Sequence, residues 1–122
     1  MKQTLVIQLK MPLDERQLDL PAELLKEGKT VAFPTETVYG LGANALDAHA
    51  IDGIFKAKGR PSDNPLIVHI SDVDMLKVLI LEKQPYVDDL MRAFWPGPMT
   101  FIFRKKDTID ACVSGGLDTV GV

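Results

Sequence analysis

The sequence contains a single cysteine, Cys112, and no Cys and His residues at the spacing of a zinc site. One thiol cannot form an internal disulfide, which is typical of proteins in reducing compartments. No apolar run approaches the ~20 residues that a helix needs to cross a bilayer. The N-terminal run, residues 1–7, lacks the long apolar region and cleavage site of a signal peptide. We therefore expect a cytoplasmic protein with no membrane partner and no metal site built from its own side chains.

An excess of positive charge is also missing. The 14 Lys and Arg residues are outnumbered by 17 Asp and Glu, which gives a net charge of -3. The strongly basic surface that is usual in nucleic-acid-binding domains is therefore not indicated. Basic residues do cluster at positions 56–60 and in the run Arg104-Lys105-Lys106. A chain of 122 residues that is 46% hydrophobic and 25% charged predicts one globular domain with one core.

Apolar patterning predicts alternating strands and helices. Asp47 is a predicted N-cap of a helix that ends at Gly59, and Pro96 and Pro98 follow the end of a later helix. The predicted strands are residues 4–9, 30–33, 66–70 and 99–104, and the predicted helices are residues 21–28, 47–58, 71–79 and 86–94. Residues 115–122 are predicted to form a turn that enters a strand. We expect residues 1–122 to be the N-terminal portion of a longer domain; an edge strand that simply ends there is the alternative.

Residues 34–42, Pro-Thr-Glu-Thr-Val-Tyr-Gly-Leu-Gly, follow a predicted strand at its carboxyl end, where open α/β sheets place ligand crevices. Their hydroxyl and carboxylate groups can hydrogen-bond to a ligand, and the two glycines allow the backbone to approach it. A polar turn that caps the strand explains the segment equally well. The segment matches neither a P-loop nor a dinucleotide-binding glycine motif.

Residues 58–65, Lys-Gly-Arg-Pro-Ser-Asp-Asn-Pro, place two cations around a glycine at the end of a predicted helix. Lysine offers a mobile point charge and arginine a planar fork of donors, which together suit phosphate groups. The alternative is that cations at a helix C-terminus only complement the helix dipole, at roughly 0.3–1 kcal/mol each. That alternative explains Lys58 better than Arg60, which lies beyond the predicted helix end.

Four further features have structural explanations that the sequence alone favours. His69, near the end of an apolar strand, is more often a core or rim residue than a catalytic one. Trp95 is predicted to anchor the corner between a helix and a strand, and Cys112 has no activating neighbour in the sequence. Residues 114–119 are predicted to be an ordinary turn, with hydroxyl groups that can also meet a phosphate or a ribose.

Taken together, these segments resemble the YrdC-like family. The matching stretches are PTETVYGLGANA at 34–45, KAKGRPSDNPLIVHI at 56–70, WPGPMTFIF at 95–103 and GLDTVGV at 116–122. The resemblance implies an α/β fold, a twisted sheet of mixed parallel and antiparallel strands with flanking helices around a basic cavity. It also implies a nucleotidyltransferase that makes threonylcarbamoyl-AMP from L-threonine, bicarbonate and ATP and releases pyrophosphate. Partner proteins would then transfer the threonylcarbamoyl group to an adenosine of tRNA.

The resemblance also implies roles for individual residues. Thr37 and His69 match positions that contact threonine. The positions that match ATP contacts are Lys58, Arg60, Ser62, Asn64 and Thr119. Lys58 and Arg60 would be the catalytic pair, because they would offset charge that develops at the α-phosphate. Mg²⁺ would bridge the phosphates with few protein ligands. An arginine and a serine-rich segment of the family would lie beyond Val122, so we expect weak or no activity from this chain alone.

Two other functions remain open at this point. Related domains handle carbamoyl-adenylate, and a dependence on threonine separates that activity from the first. A non-catalytic module that binds tRNA or double-stranded RNA is the third candidate. The acidic balance of the chain argues against it, and a steep salt dependence of tRNA binding without ATP affinity would favour it.

Overall fold

Helices and strands alternate along residues 3–122, the part of the chain that the computed structural model describes. The helices are α1 (Asp19–Lys26), α2 (Ala48–Lys58), α3 (Leu76–Leu79), α4 (Tyr86–Phe94) and α5 (Ala111–Ser114). The strands are β1 (Val31–Phe33), β2 (Gly40–Gly42), β3 (Ile102–Arg104) and β4 (Thr119–Gly121). Short 3-10 helices, Glu15–Leu18 and Val73–Met75, precede α1 and α3. None of the helices in this part of the chain is long and apolar enough to cross a membrane.

Helix α2 begins and ends at the predicted residues. The Asp47 carboxylate accepts hydrogen bonds from the backbone N–H groups of His49 and Ala50 at 3.0 and 3.2 Å, which satisfies donors that a first helical turn leaves free. Gly59 ends the helix in the left-handed conformation, with φ of 59°, where a side chain would be strained. The apolar face of α2 lies in the core through Ala50, Ile51, Ile54 and Phe55. Both predicted boundaries are confirmed.

A mixed sheet forms around β4. Strand β3 pairs with it antiparallel, with Phe103 opposite Val120. On the other side Ile67 forms a parallel bridge to Gly121, and the Val68 N–H donates to the Gly121 carbonyl at 2.8 Å. Ile80 forms an antiparallel bridge to the residue after β3. The predicted mixture of parallel and antiparallel pairing is confirmed, and β1 and β2 form a separate antiparallel ribbon.

The two faces of the mixed sheet differ. Val68, Phe103 and Val120 are buried against the helices, in a core that continues into α3, α4 and the segment around Ile109. Because side chains alternate along a strand, their neighbours project from the opposite face. Ile67 is 55% exposed and Ile102 is 67% exposed on that face. One face of the sheet therefore packs against the core. The opposite face, which carries Ile67 and Ile102, is exposed, and we call it the open face.

The predicted strand at residues 4–9 is wrong. These residues are irregular, and Val6 is 86% exposed. An apolar run becomes a strand only where a second strand accepts its hydrogen bonds, and none pairs with this run among residues 3–122. Residues 66–70 form only the bridge at Ile67 rather than a long strand. Residues 1 and 2, which begin the N-terminal apolar run, lie outside the described residues.

The pKa of the Cys112 thiol is raised from 9.0 to about 11. Burial is the main cause, and the Asp110 carboxylate adds to it by accepting a hydrogen bond from the thiol and by its charge. Asp110 also caps α5, since it accepts from the Cys112 N–H at 2.9 Å. The thiol is therefore protonated near neutral pH, which agrees with the structural role predicted for Cys112.

Removal of the Asp47 cap should destabilise the protein. We expect Asp47→Ala to lower the free energy of unfolding by about 1 kcal/mol, because two N–H groups of α2 lose their acceptor. Asp47→Asn keeps a side-chain oxygen and should lose only a small part of that. Equilibrium denaturation in urea measures both variants. Equal losses for Ala and Asn would show that the capping hydrogen bonds do not matter.

Cys112 should react slowly with alkylating reagents. At pH 8 a rise in pKa from 9.0 to about 11 reduces the thiolate fraction roughly 100-fold, and the thiolate is the reactive form. The rate of alkylation by iodoacetamide should therefore be about 100-fold lower in the folded protein than in urea. Asp110→Asn, which keeps the cap and removes the charge, should raise the folded-state rate. A folded rate equal to the unfolded rate would contradict the assignment.

Candidate functional site

The loop after α2 carries four of the predicted ATP contacts. Lys58 is the last residue of α2 and is exposed, and Arg60 follows the left-handed Gly59 and is half-buried. The Arg60 N–H donates back to the Phe55 carbonyl at 3.1 Å, which holds the start of the loop against the helix end. Ser62 and Asn64 are exposed in the turns that follow. The loop therefore presents two cations and two polar side chains to solvent from a fixed helix end.

The same loop packs on the turn that precedes β4. A Cβ built on Gly115 would lie 2.8 Å from the Asp63 carbonyl oxygen and 3.1 Å from the Pro65 ring, so only glycine fits there. Just after the loop, the Leu66 N–H donates to the Val113 carbonyl at 2.8 Å. Thr119, at the start of β4, follows this turn and is half-buried. The structure therefore brings residues 58–65 together with residues 114–119, two segments far apart in sequence.

Thr37 lies in the exposed turn between β1 and β2. Its N–H donates to the Thr35 hydroxyl at 3.2 Å, and that hydroxyl also donates to the Val38 carbonyl. Among residues 3–122, no hydrogen bond links Thr37 to His69 or to the loop after α2. The local turn is built by its own threonines, while its predicted role toward threonine stays a prediction.

The two glycines of residues 34–42 have a structural explanation. A Cβ on Gly40 or on Gly42 would lie 2.9 Å from the ring of Phe33, which crosses both positions from the paired strand β1. The glycines therefore make room for an aromatic ring. The interpretation that they allow close approach to a ligand has no support in this contact.

His69 lies on the wall of a cavity that has a volume of about 710 Å³. Its Nδ1 is 3.4 Å from the Ile67 carbonyl oxygen, and the ring is exposed. The cavity lies between residues 67–73, helix α4 and the segment that joins α4 to β3. Of the predicted site residues, His69 is the one that lines it; Thr37, Thr119 and the loop after α2 lie elsewhere.

The charged side chains that line this cavity are not predominantly basic, because two carboxylates stand against one guanidinium. Besides His69 it carries the carboxylates of Asp72 and Asp88 and one guanidinium, Arg92. Asp88 is paired with Lys83, and Arg92 with Asp89 at 3.1 Å. The basic cavity that the resemblance implies is not confirmed by these residues. Among residues 3–122, no group of three or more His, Cys, Asp or Glu side chains is arranged to hold a metal ion.

Residues 95–100 form one wall of the cavity. The Trp95 indole N–H donates to the Met99 carbonyl at 2.7 Å, and its ring meets Phe101 edge-on with centroids 5.1 Å apart. The prediction that Trp95 anchors this corner is confirmed.

Comparison with curated proteins finds close relatives. The chain is 49% identical over 119 residues to the threonylcarbamoyl-AMP synthase of Pyrococcus abyssi, covering 98% of this chain and 35% of that protein. It is 49% identical over 110 residues to the threonylcarbamoyl-AMP synthase of Bacillus subtilis, covering 89% of this chain and 32% of that one. The chain thus spans about a third of the length of these relatives.

Solved structures give the same result. The crystal structure of Pyrococcus abyssi Sua5 complexed with L-threonine matches with a TM-score of 0.92 and 49% identity, over 98% of this chain and 35% of that one. Escherichia coli YciO matches with a TM-score of 0.71 at 21% identity, over 89% of this chain and 53% of that one, and supports the fold alone. Full-length HypF in its phosphate- and nucleotide-bound form matches with a TM-score of 0.70 and 28% identity, over 91% of this chain and 17% of that one.

A family-level match agrees with these relatives. The sequence model of the family that comprises Sua5, YciO and YrdC, described as telomere recombination, matches residues 23–122. The matched range contains the turn at Thr37, the loop after α2, His69 and Thr119. The resemblance inferred from the motifs is confirmed, and this chain belongs to the Sua5–YciO–YrdC family.

Proposed function

We propose that this chain forms the nucleotide-binding and part of the threonine-binding region of an enzyme that makes threonylcarbamoyl-AMP. The substrates are L-threonine, bicarbonate and ATP, and the second product is pyrophosphate. The observation that carries the proposal is the 49% identity over 119 residues to the threonylcarbamoyl-AMP synthase of Pyrococcus abyssi. The structural similarity to Sua5 complexed with L-threonine, with a TM-score of 0.92, supports the same proposal.

The phosphates of ATP bind at the loop after α2. Lys58 and Arg60 supply ammonium and guanidinium donors at one helix end, with the hydroxyl of Ser62 and the amide of Asn64 farther along. Thr119 approaches the same nucleotide from β4, because the Gly115 turn packs on this loop. The cluster gives the anionic triphosphate charged partners in a loop stiffened by Pro61 and Pro65.

The reaction is a displacement at the α-phosphorus. Threonine and bicarbonate condense to a carbamate with loss of water. A carbamate oxygen then forms a bond to the α-phosphorus, the bond from that phosphorus to the bridging oxygen breaks, and pyrophosphate leaves with the electron pair. Lys58 and Arg60 stabilise charge on the phosphate oxygens, and positioning supplies much of the rate. No protein nucleophile is required.

Threonine binds between the Thr37 turn and His69 in this proposal. The Thr37 hydroxyl can donate or accept a hydrogen bond, and His69 presents a ring nitrogen to the cavity. Mg²⁺ would accompany ATP, and its charge would neutralise part of the charge of the phosphates. The acyl group then passes, with partner proteins, to an adenosine of tRNA to give N6-threonylcarbamoyladenosine. A cytoplasmic location follows from these substrates.

A second candidate rests on HypF, whose nucleotide-bound form has a TM-score of 0.70 to this chain at 28% identity. In that case the protein would form or use carbamoyl-adenylate, and threonine would not be a substrate. The two functions share the loop after α2 and differ at the Thr37 turn and His69. Omission of threonine from the assay therefore separates them.

Pyrophosphate release should require all three substrates. The measurement uses this chain and a chimera in which it replaces the matching third of the Pyrococcus abyssi enzyme. We expect threonine-dependent release by the chimera and little by the chain alone, because the relatives are about three times as long. Release by a folded chimera that is unchanged without threonine would contradict the proposal.

The two halves of the site should separate kinetically. Arg60→Ala in the chimera should raise the KM for ATP about 10- to 100-fold, the range for a lost charge-assisted hydrogen bond, with a smaller effect on threonine. Thr37→Val should raise the KM for threonine several-fold. Lys56→Ala is the matched control for charge, because Lys56 is paired with Asp52 at 2.5 Å. Equal effects of Arg60→Ala and Thr37→Val on both substrates would refute the division.

A further inference from the structure

The basic run at residues 104–106 divides into two kinds of side chain. The Lys105 ammonium donates to the Ile109 carbonyl at 2.8 Å, and the Lys106 ammonium donates to the Lys77 carbonyl. Both lysines are half-buried and hold loops in place. The Arg104 side chain is exposed and makes no hydrogen bond or ion pair within residues 3–122. Arg104 therefore keeps its donors available for a group outside this part of the chain.

The other arginines provide a comparison. Arg16 pairs with Asp14 at 2.6 Å, and Arg92 pairs with Asp89 at 3.1 Å. Arg60 and Arg104 are the two arginines that have no carboxylate partner among residues 3–122. Arg60 lies in the loop that we assign to phosphate binding. Arg104 shares its lack of a carboxylate partner.

Arg104 lies directly opposite Thr119 in the β3–β4 ladder. Phe101 and Val122 exchange both of their backbone hydrogen bonds at 2.9 Å, so the Arg104 and Thr119 pair, three positions along, is a non-hydrogen-bonded pair. Side chains in such pairs are on the same face and their Cα atoms are only about 4.5 Å apart. The side chains of Arg104 and Thr119 therefore start next to each other on the same face of the sheet.

The open face around this pair carries the apolar side chains of Ile67 and Ile102. Ile67, Ile102 and Thr100 surround Gly121, because a Cβ built there would lie 3.8, 3.5 and 3.3 Å from their side chains. Strand alternation places His69 on the same side as Ile67. An unpaired guanidinium on an apolar face suits an anionic ligand, because a phosphate accepts two of its hydrogen bonds at once.

We propose that Arg104 is a further residue of the nucleotide site and binds a phosphate of ATP beside Thr119. The proposal rests on the function proposed above, since Thr119 is its link to the nucleotide. Arg60 and Arg104 then contact the triphosphate from two elements, the loop after α2 and strand β3. A solvated arginine with no ligand is the alternative that the experiment must exclude.

The test is equilibrium binding of ATP and of adenosine to the chimera described above and to three variants of it, because this chain alone spans about a third of its relative. Arg104→Gln keeps the length of the side chain and removes its charge, Arg104→Lys keeps the charge, and Arg16→Gln is a matched control at a distant ion-paired arginine. We expect Arg104→Gln to weaken ATP binding about tenfold or more and to leave adenosine binding unchanged. Arg104→Lys should restore part of the loss, and Arg16→Gln should bind as the wild type does. Denaturation midpoints establish that each variant is folded.

The outcomes separate the two proposals. If the chimera without these substitutions binds no ATP, the proposed function and the role of Arg104 both fail. If it binds ATP and Arg104→Gln binds it equally well, only the role of Arg104 fails. Equal weakening of ATP and adenosine would show that Arg104 supports the fold rather than a phosphate. Binding of an RNA hairpin is measured for the same variants. If Arg104→Gln loses RNA binding and keeps its affinity for ATP, Arg104 binds RNA and the inference is overturned.

Discussion

Strand β4 is hydrogen-bonded along both of its edges, and the rest of the described structure depends on that pairing. Val68 donates to the Gly121 carbonyl from one side, and Phe101 exchanges two hydrogen bonds with Val122 from the other. A shift of β4 by one residue would turn Val120 out of the core and bring Thr119 into it, because side chains alternate. The register is therefore held by burial of Val120, which is 2% exposed.

That register has a functional consequence. The same alternation that buries Val120 leaves Thr119, Arg104 and His69 on the open face, with few described residues over them. The turn before β4 also receives the loop after α2, through the close approach at Gly115. Packing of the core and the position of the loop after α2 are thus both tied to β4 and the turn before it. The Thr37 turn belongs to the separate β1–β2 ribbon.

Helices were the part of the fold that sequence patterns predicted well, because their signals are local. Asp47 and Gly59 bound α2 through contacts within a few residues, and Asp72 caps the helical turn that leads into α3 in the same way. Residues 86–94 match α4 at both ends. Strands were predicted less well. Residues 4–9 have the composition of a strand and no partner, and composition carries no information about a partner.

The sequence by itself determined the boundaries of α2 and α4, the cations of the loop after α2 and the family. Each of these depends on residues that are close together or on motifs in a fixed order. Only the tertiary structure decided what individual side chains do. It assigned Gly40 and Gly42 to the ring of Phe33, and it distinguished Arg104 from the two lysines that follow it. The physical reason is that pairing between strands and contacts between distant loops join residues far apart along the chain, and a local pattern cannot encode which of them meet.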